Sequence, residues 1–247
     1  MASYEYLAHR YDELMRDVDY VRRAEFVEKL FLRAAKRDVH TVLDLACGTG
    51  TMTCILTERG YELISVDGSE DMLMEAREKA QGLDGIEPLL LHQSMPELDL
   101  NDTVDAAICC MDSLNYLTHP RDVKRTLERL RLFVSPGGAL VFDVHALPKL
   151  EAMDGQVYID EDEDVCCVWR TEFRHALLEY CVDLFTRRQD GAWDRNTEFH
   201  RQRYYSPEEL TAWLAEAGFS DIRVYGDCRM RRPDERDARL YFSAVRK

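Results

Sequence analysis

Residues 41–53 read TVLDLACGTGTMT. Thr41–Ala46 has the pattern of a buried strand, and residues 49–60 continue as a helical pattern closed by Gly60. Between them lie Gly48 and Gly50, spaced Gly-x-Gly. Glycine has no Cβ, so such a turn lets backbone approach a ligand closely, and the helix that follows presents unpaired N–H groups. A phosphate-binding Walker loop is excluded, because no lysine follows the glycines. A dinucleotide fingerprint needs a third small residue for close helix–strand packing, and that position is Thr53.

Outward from this turn, strand and helix patterns alternate. Strands are predicted at 62–67, 87–93, 104–111 and 139–145, with helices at 69–82 and 120–134 and a turn at 135–138. This alternation predicts a doubly wound, mostly parallel α/β sheet. Helix returns at 206–218, with Ser206 and Glu209 in capping-box positions, and two strands, 219–227 and 238–246, complete seven. Between the halves, segments 165–173, 177–188 and 197–205 read as an inserted antiparallel β subdomain. The acidic run 160–164 reads as a solvated turn. Residues 3–37 read as helical, with Val21, Phe26, Val27, Leu30 and Phe31 forming the apolar stripe. The expected organisation is a helical lid over 1–37, an α/β domain over 38–145 and 206–247, and a β-rich insert over 146–205.

The totals narrow the function. A net charge of −15 disfavours a protein that grips nucleic-acid phosphates, although it does not exclude a local basic patch such as 229–236. The eight cysteines show no CxxC pair and no zinc spacing, so they read as reduced, packed thiols and no metal is expected. No apolar run is long enough for a membrane span and the first residues lack signal-peptide character, so a cytoplasmic protein, monomer or homodimer, is expected.

Two acids sharpen the choice of ligand. Asp67 ends the second strand, where a carboxylate can accept ribose hydroxyls. Asp44 lies just before the glycine turn, where it would oppose a pyrophosphate and welcome a positively charged ligand.

The stretches 42–50 (VLDLACGTG), 66–78 (VDGSEDMLMEARE), 104–117 (VDAAICCMDSLNYL) and 135–144 (SPGGALVFDV) together resemble the successive motifs of class I S-adenosylmethionine-dependent methyltransferases. The N-terminal segment and the insert also resemble a branch with small-molecule and amino-sugar N-methyltransferases. The resemblance implies S-adenosyl-L-methionine as cofactor. It places Asp44, Gly48 and Gly50 on the methionine side with Ala46 and Cys47, and Asp67 on the ribose with Gly68 and Ser69. It packs Met72 on the adenine. Where relatives carry an acid near the adenine amino group, this chain has Gln93, Ser94 and Met95. Cys110 would border the same pocket, and the Pro-Cys dipeptide of thiol-dependent pyrimidine methylation is absent.

Methyl transfer is an in-line displacement that depends chiefly on orientation, with a base needed only if the acceptor must lose a proton at or before attack. The resemblance implies a lid carrying Tyr11 and Tyr20, and a loop after the fourth strand whose Asp112, Asn115 and Tyr116 contact the acceptor. Tyr20, Tyr116 and His145 are the candidate catalytic residues, with His200 a further candidate base. The insert is expected to roof the acceptor site, and Trp169, Arg170, Arg201, Arg203 and Tyr204 could line it. The expected activity is methylation of nitrogen or oxygen on a small molecule. An RNA methyltransferase and a non-catalytic cofactor-binding protein are the alternatives.

Overall fold

A computed structural model describes residues 7–247. Residues 3–6 of the expected N-terminal helix lie outside the described residues. The rest of that helix is broken. A 3-10 turn, Ala8–Arg10, leads into the short helix α1 (Tyr11–Leu14), and α2 begins only at Tyr20 and ends at Ala34. The restart has a local cause: the Asp19 carboxylate accepts the Arg22 N–H at 2.9 Å and caps α2. Phe26, Val27, Leu30 and Phe31 are buried as the stripe requires, but Val21 faces solvent.

The chain then runs β1 (Thr41–Leu45), α3 (Thr51–Glu58), β2 (Glu62–Asp67), α4 (Glu70–Ala80), β3 (Leu89–His92), β4 (Val104–Cys109), α5 (Pro120–Phe133) and β5 (Val134–His145). The caps match the sequence: the Ser69 hydroxyl accepts the Met72 N–H at the start of α4. Residues 135–138 are not a separate turn. They belong to β5 as a bulge, since pairing with β4 jumps from Val104↔Val134 to Ala106↔Ala139. After α6 (Leu147–Met153) come four strands, β6 (Val157–Glu161), β7 (Val165–Arg174), β8 (Leu177–Arg187) and β9 (Trp193–Arg203). β6 is a strand that the acidic run concealed: Asp160 and Glu161 pair with Cys167 and Cys166. The chain closes with α7 (Pro207–Ala217), whose Ser206–Glu209 capping box is formed, then β10 (Phe219–Tyr225) and β11 (Arg239–Arg246).

The large sheet has seven strands in the order β10-β11-β5-β4-β1-β2-β3, with β11 antiparallel to both neighbours. β6 to β9 form a separate antiparallel sheet. Every position of β4 is buried, as a central strand covered on both faces should be. One core packs α5 and α7 on one face around Leu43, Leu127, Leu140 and Phe242, and a second packs α2 and α3 on the other around Val27, Leu30, Leu56 and Tyr241. Strand order reverses between β1 and β4, so the carboxyl ends of β1, β2 and β4 open onto a common crevice.

Candidate active site

That crevice holds a cavity of about 320 Å³. Its walls are the β1–α3 turn, the end of β2 with the start of α4, residues 93–96 after β3, the loop after β4, and Tyr11 and Tyr20 from the N-terminal segment.

The glycine turn is held open by Asp67. One carboxylate oxygen accepts the Gly48 N–H at 2.8 Å and the other accepts the Ser69 N–H at 2.9 Å. Gly48 sits at φ +56°, with nothing within 4 Å of the position a Cβ would take. Burial raises the Asp67 carboxyl above its ordinary range even though these N–H groups pull it down. Each oxygen keeps a lone pair for a further donor. Asp44 is deeper, at 2% exposure, and burial pushes its carboxyl up to about 6 against the Thr53 hydroxyl, which donates to it at 2.7 Å. Thr53 also meets the Ser65 hydroxyl at 2.8 Å. The residue that spoils a dinucleotide fingerprint is therefore the one that orients Asp44.

On the β4 side the backbone is strained. Met111 and Asp112 adopt φ 59° and 53°, unfavourable for residues with a Cβ. Asp143 of β5 holds this turn by accepting both N–H groups, at 2.8 and 3.0 Å. Arg239 of β11 pairs with Asp143 and with Asp112, the latter at 2.5 Å. Gln202 of β9 donates to Asp112 at 2.6 Å, and the His145 ring lies 3.2 Å from the same carboxylate. Burial alone would raise Asp112, but His145 and Arg239 hold it well below the usual range. Burial lowers His145, with Asp112 opposing.

Of the sequence-selected residues, Tyr11, Tyr20, Asp44, Ala46, Cys47, Gly48, Asp67, Gly68, Ser69, Met72, Gln93, Ser94, Met95, Cys110 and Tyr116 all line the cavity. Gly50 does not. It caps α3 at φ +75°, and a Cβ there would meet the Ala76 Cβ at 3.0 Å, so its role is packing of α3 on α4. His145 is also outside the wall, because its ring turns to Asp112 and away from the cavity. Asp112 and Asn115 are committed behind it: the Asn115 amide donates to the Arg203 carbonyl at 2.7 Å and its oxygen accepts the His145 N–H at 3.1 Å. His200 is buried 3.0 Å from Glu198.

No residue of 146–205 is part of the cavity wall. The inner face of the small sheet packs Val165, Cys167, Val182 and Leu184 on Leu7, with Leu14 and Trp169 beside them, so the insert backs the N-terminal segment. Arg170 and Arg201 are engaged by Asp183 and Glu179. Thr49, Thr51, Met52, Pro96, Met111, Ser113 and Leu117 complete the wall. Sequence reasoning missed them, although all but Met52 adjoin selected residues or the loop after β4. Burial raises the Cys47, Cys109 and Cys110 thiols well above their ordinary range, which removes thiolate chemistry from the site. Among the described residues no cluster of side chains is suited to a metal.

Residues 42–138 match the family model of the methyltransferase domain. YqeM of Bacillus subtilis (strain 168), a protein named as a methyltransferase, is 34% identical over 244 residues, covering 98% of this chain and 96% of that one. A glycine/sarcosine N-methyltransferase of Parasynechococcus marenigrum (strain WH8102) is 30% identical over 240 residues, covering 90% and 78%. The crystal structure of an S-adenosylmethionine-dependent methyltransferase from Clostridium acetobutylicum ATCC 824 superposes with a TM-score of 0.87 at 26% identity, covering 98% of each chain. A sugar N-methyltransferase, KedS8 from Streptoalloteichus sp. ATCC 53650, shares the fold with a TM-score of 0.82 at 21% identity, covering 97% and 92%. The chain belongs to the S-adenosylmethionine-dependent methyltransferase family. It is an enzyme of that class, with S-adenosylmethionine as its cofactor.

Proposed function

We propose that the cavity binds S-adenosylmethionine between Asp44 and Asp67, and that the enzyme methylates an amine nitrogen of a small molecule. The observation that carries this reading is the pair of buried carboxylates on one wall of an otherwise largely apolar cavity. The donor set fits the cofactor. Asp67, with both oxygens pre-positioned by backbone N–H groups, suits a ribose diol, and Asp44 suits a cationic group. Met72 and Met95 offer apolar walls for a purine and Ser94 a polar contact, while the Gln93 amide is held at both ends by the Asp99 backbone, at 3.0 and 2.8 Å. Bound there, S-adenosylmethionine supplies an electrophilic methyl carried by a sulfonium.

The chain's own residues orient the acceptor and exclude water. Tyr11, Tyr20 and Tyr116 line the same cavity. Burial pushes Tyr11 well above its ordinary range and Tyr20 to about 12, so both hydroxyls stay protonated at neutral pH and act as hydrogen-bonding walls, not as bases. Among the described residues no imidazole lines the cavity. The carboxylates that line it, Asp44 and Asp67, are taken up by the cofactor in this reading, so a hydroxyl acceptor would lack a base to activate it, whereas an amine needs only to arrive neutral. This favours nitrogen, in keeping with the relatives named as N-methyltransferases.

The loop 229–236 gives little support to an RNA substrate: Arg231 pairs with Asp237 at 2.7 Å and Arg236 with Asp234 at 2.8 Å. Among the described residues no helix is long and apolar enough to cross a membrane. A cytoplasmic site of action suits eight free cysteines.

The test is transfer of labelled methyl from S-adenosylmethionine into a fractionated metabolite extract and, in parallel, into total tRNA. Label is expected in amine-bearing small molecules. Label only in RNA would overturn the acceptor class, and transfer to nothing would favour a non-catalytic cofactor-binding protein.

A further inference from the structure

We propose that Asp12 and Lys79 form an ionic latch that holds the lid shut over the cavity and sets the residence time of the cofactor. The inference rests on the reading above that the cavity holds S-adenosylmethionine. Asp12 directly follows Tyr11, which lines the cavity. One Asp12 oxygen accepts the Thr49 hydroxyl at 2.7 Å, and the other lies 2.5 Å from the Lys79 ammonium. Lys79, near the end of α4, also donates to Thr49 Oγ1 at 3.1 Å and Thr51 Oγ1 at 2.8 Å. Thr49 and Thr51 are themselves part of the cavity wall. The four side chains make a closed ring that joins the lid, the glycine turn and α4.

The direction of the hydrogen bonds makes the ring dependent on both charges. Thr49 gives its one proton to Asp12 and receives one from Lys79, so the ammonium is the origin of the chain and the carboxylate its end. Loss of either leaves threonine hydroxyls without their charged partner.

The other attachments of the segment lie elsewhere. Leu7 donates its N–H to Glu198 at 3.0 Å and packs on the small sheet, and Arg16 pairs with Asp160 of the same sheet at 2.6 Å. His9 meets Glu75 at 2.5 Å with its side chain 64% exposed, against 27% for Lys79. Asp12 thus ties the N-terminal segment directly to two threonines of the cavity wall. Opening that tie would loosen the cover that Tyr11 gives the cavity.

The test is the dissociation rate of S-adenosylhomocysteine, followed by stopped-flow displacement, in the wild type, Asp12→Asn, Lys79→Met and the exchange D12K/K79D. The exchange keeps the summed length of the two side chains, and threonine hydroxyls can donate or accept in either direction. Each single substitution is expected to speed dissociation about five- to tenfold. Each should also speed tryptic cleavage at Arg10 and Arg16 in the liganded protein. The exchange is expected to restore both to within about twofold of wild type, a recovery that loss of packing would not show. Melting temperatures are expected to stay within a few degrees throughout, since the pair is partly solvent-exposed. Unchanged dissociation in both single variants, or acceleration in the exchange as large as in the singles, would overturn the latch. Failure of the wild type to bind S-adenosylhomocysteine in a prior titration would overturn the cofactor reading instead.

Discussion

The affinity of this enzyme for a cationic ligand should depend on pH through one buried carboxyl. Asp44 is raised to about 6 by burial, with Asp67 adding to the rise and the Thr53 hydroxyl opposing it. In the free protein it is then about nine-tenths ionised at pH 7 and about one-tenth at pH 5. A positive charge at ~4 Å attracts a carboxylate by ~1–4 kcal/mol, and at the ~3 kcal/mol expected in this buried setting the carboxyl returns to about 4 in the complex. Binding at pH 5 must therefore expel a proton at a cost of about 1.4 kcal/mol, while binding at pH 7 does not. The dissociation constant of S-adenosylmethionine should rise about tenfold from pH 7 to pH 5 and be flat above pH 7.

Calorimetry of S-adenosylmethionine against S-adenosylhomocysteine, whose sulfur is neutral, isolates the sulfonium's share. Asp44→Asn keeps an oxygen for Thr53, removes the charge, and should abolish the slope while weakening binding at pH 7. The same substitution should stabilise the ligand-free protein. The folded state holds the Asp44 proton more tightly than the unfolded chain, whose carboxyl titrates near 4, so stability falls as pH rises from about 4 to about 6. The loss is on the order of 3 kcal/mol and is complete by pH 7. A flat wild-type profile between pH 5 and 8, or a slope retained in Asp44→Asn, would refute the reasoning.

Asp67→Ala should weaken cofactor binding at least tenfold by calorimetry. It removes the ribose acceptor and strands the Gly48 and Ser69 N–H groups, where each charge-assisted hydrogen bond is worth ~1.5–3 kcal/mol; unchanged affinity would remove Asp67 from the site. Arg239→Met should cost about 3–5 kcal/mol of stability, because Asp112 and Asp143 would be left buried without their shared cation. A urea midpoint that barely moves would show that Asp143 holds the Met111–Asp112 turn without that cation.

Most of the cavity wall around the glycine turn was legible in the sequence. Asp44, Gly48 and Asp67 stand at strand ends, and a strand end followed by a turn fixes where the backbone lies relative to the crevice. Once the β-α alternation is read, these positions follow from local pattern alone. The alternation in turn reflects side-chain periodicity, a property of neighbouring residues. Gly50 was misplaced because positive φ serves both ligand approach and helix packing, and only the position of Ala76 distinguishes them.

The part of the wall after β4 was less legible. Tyr116 lines the cavity, but His145 turns away because a buried anion, Asp112, draws its ring. Asp112 is itself fixed by Arg239, 127 residues later in the chain. The insert's edge strand β6 hid behind acidic residues that one edge of a sheet tolerates in solvent. The break in the N-terminal helix depends on a single capping side chain, and the tie from Asp12 to Lys79 depends on where the N-terminal segment packs. Periodicity along the chain determined the strands, the crevice and the place of the two acids, Asp44 and Asp67, that line it. Tertiary structure decided which charged groups meet across the fold, because the pairing of buried charges is settled by three-dimensional neighbours and leaves no mark at a fixed spacing in the sequence.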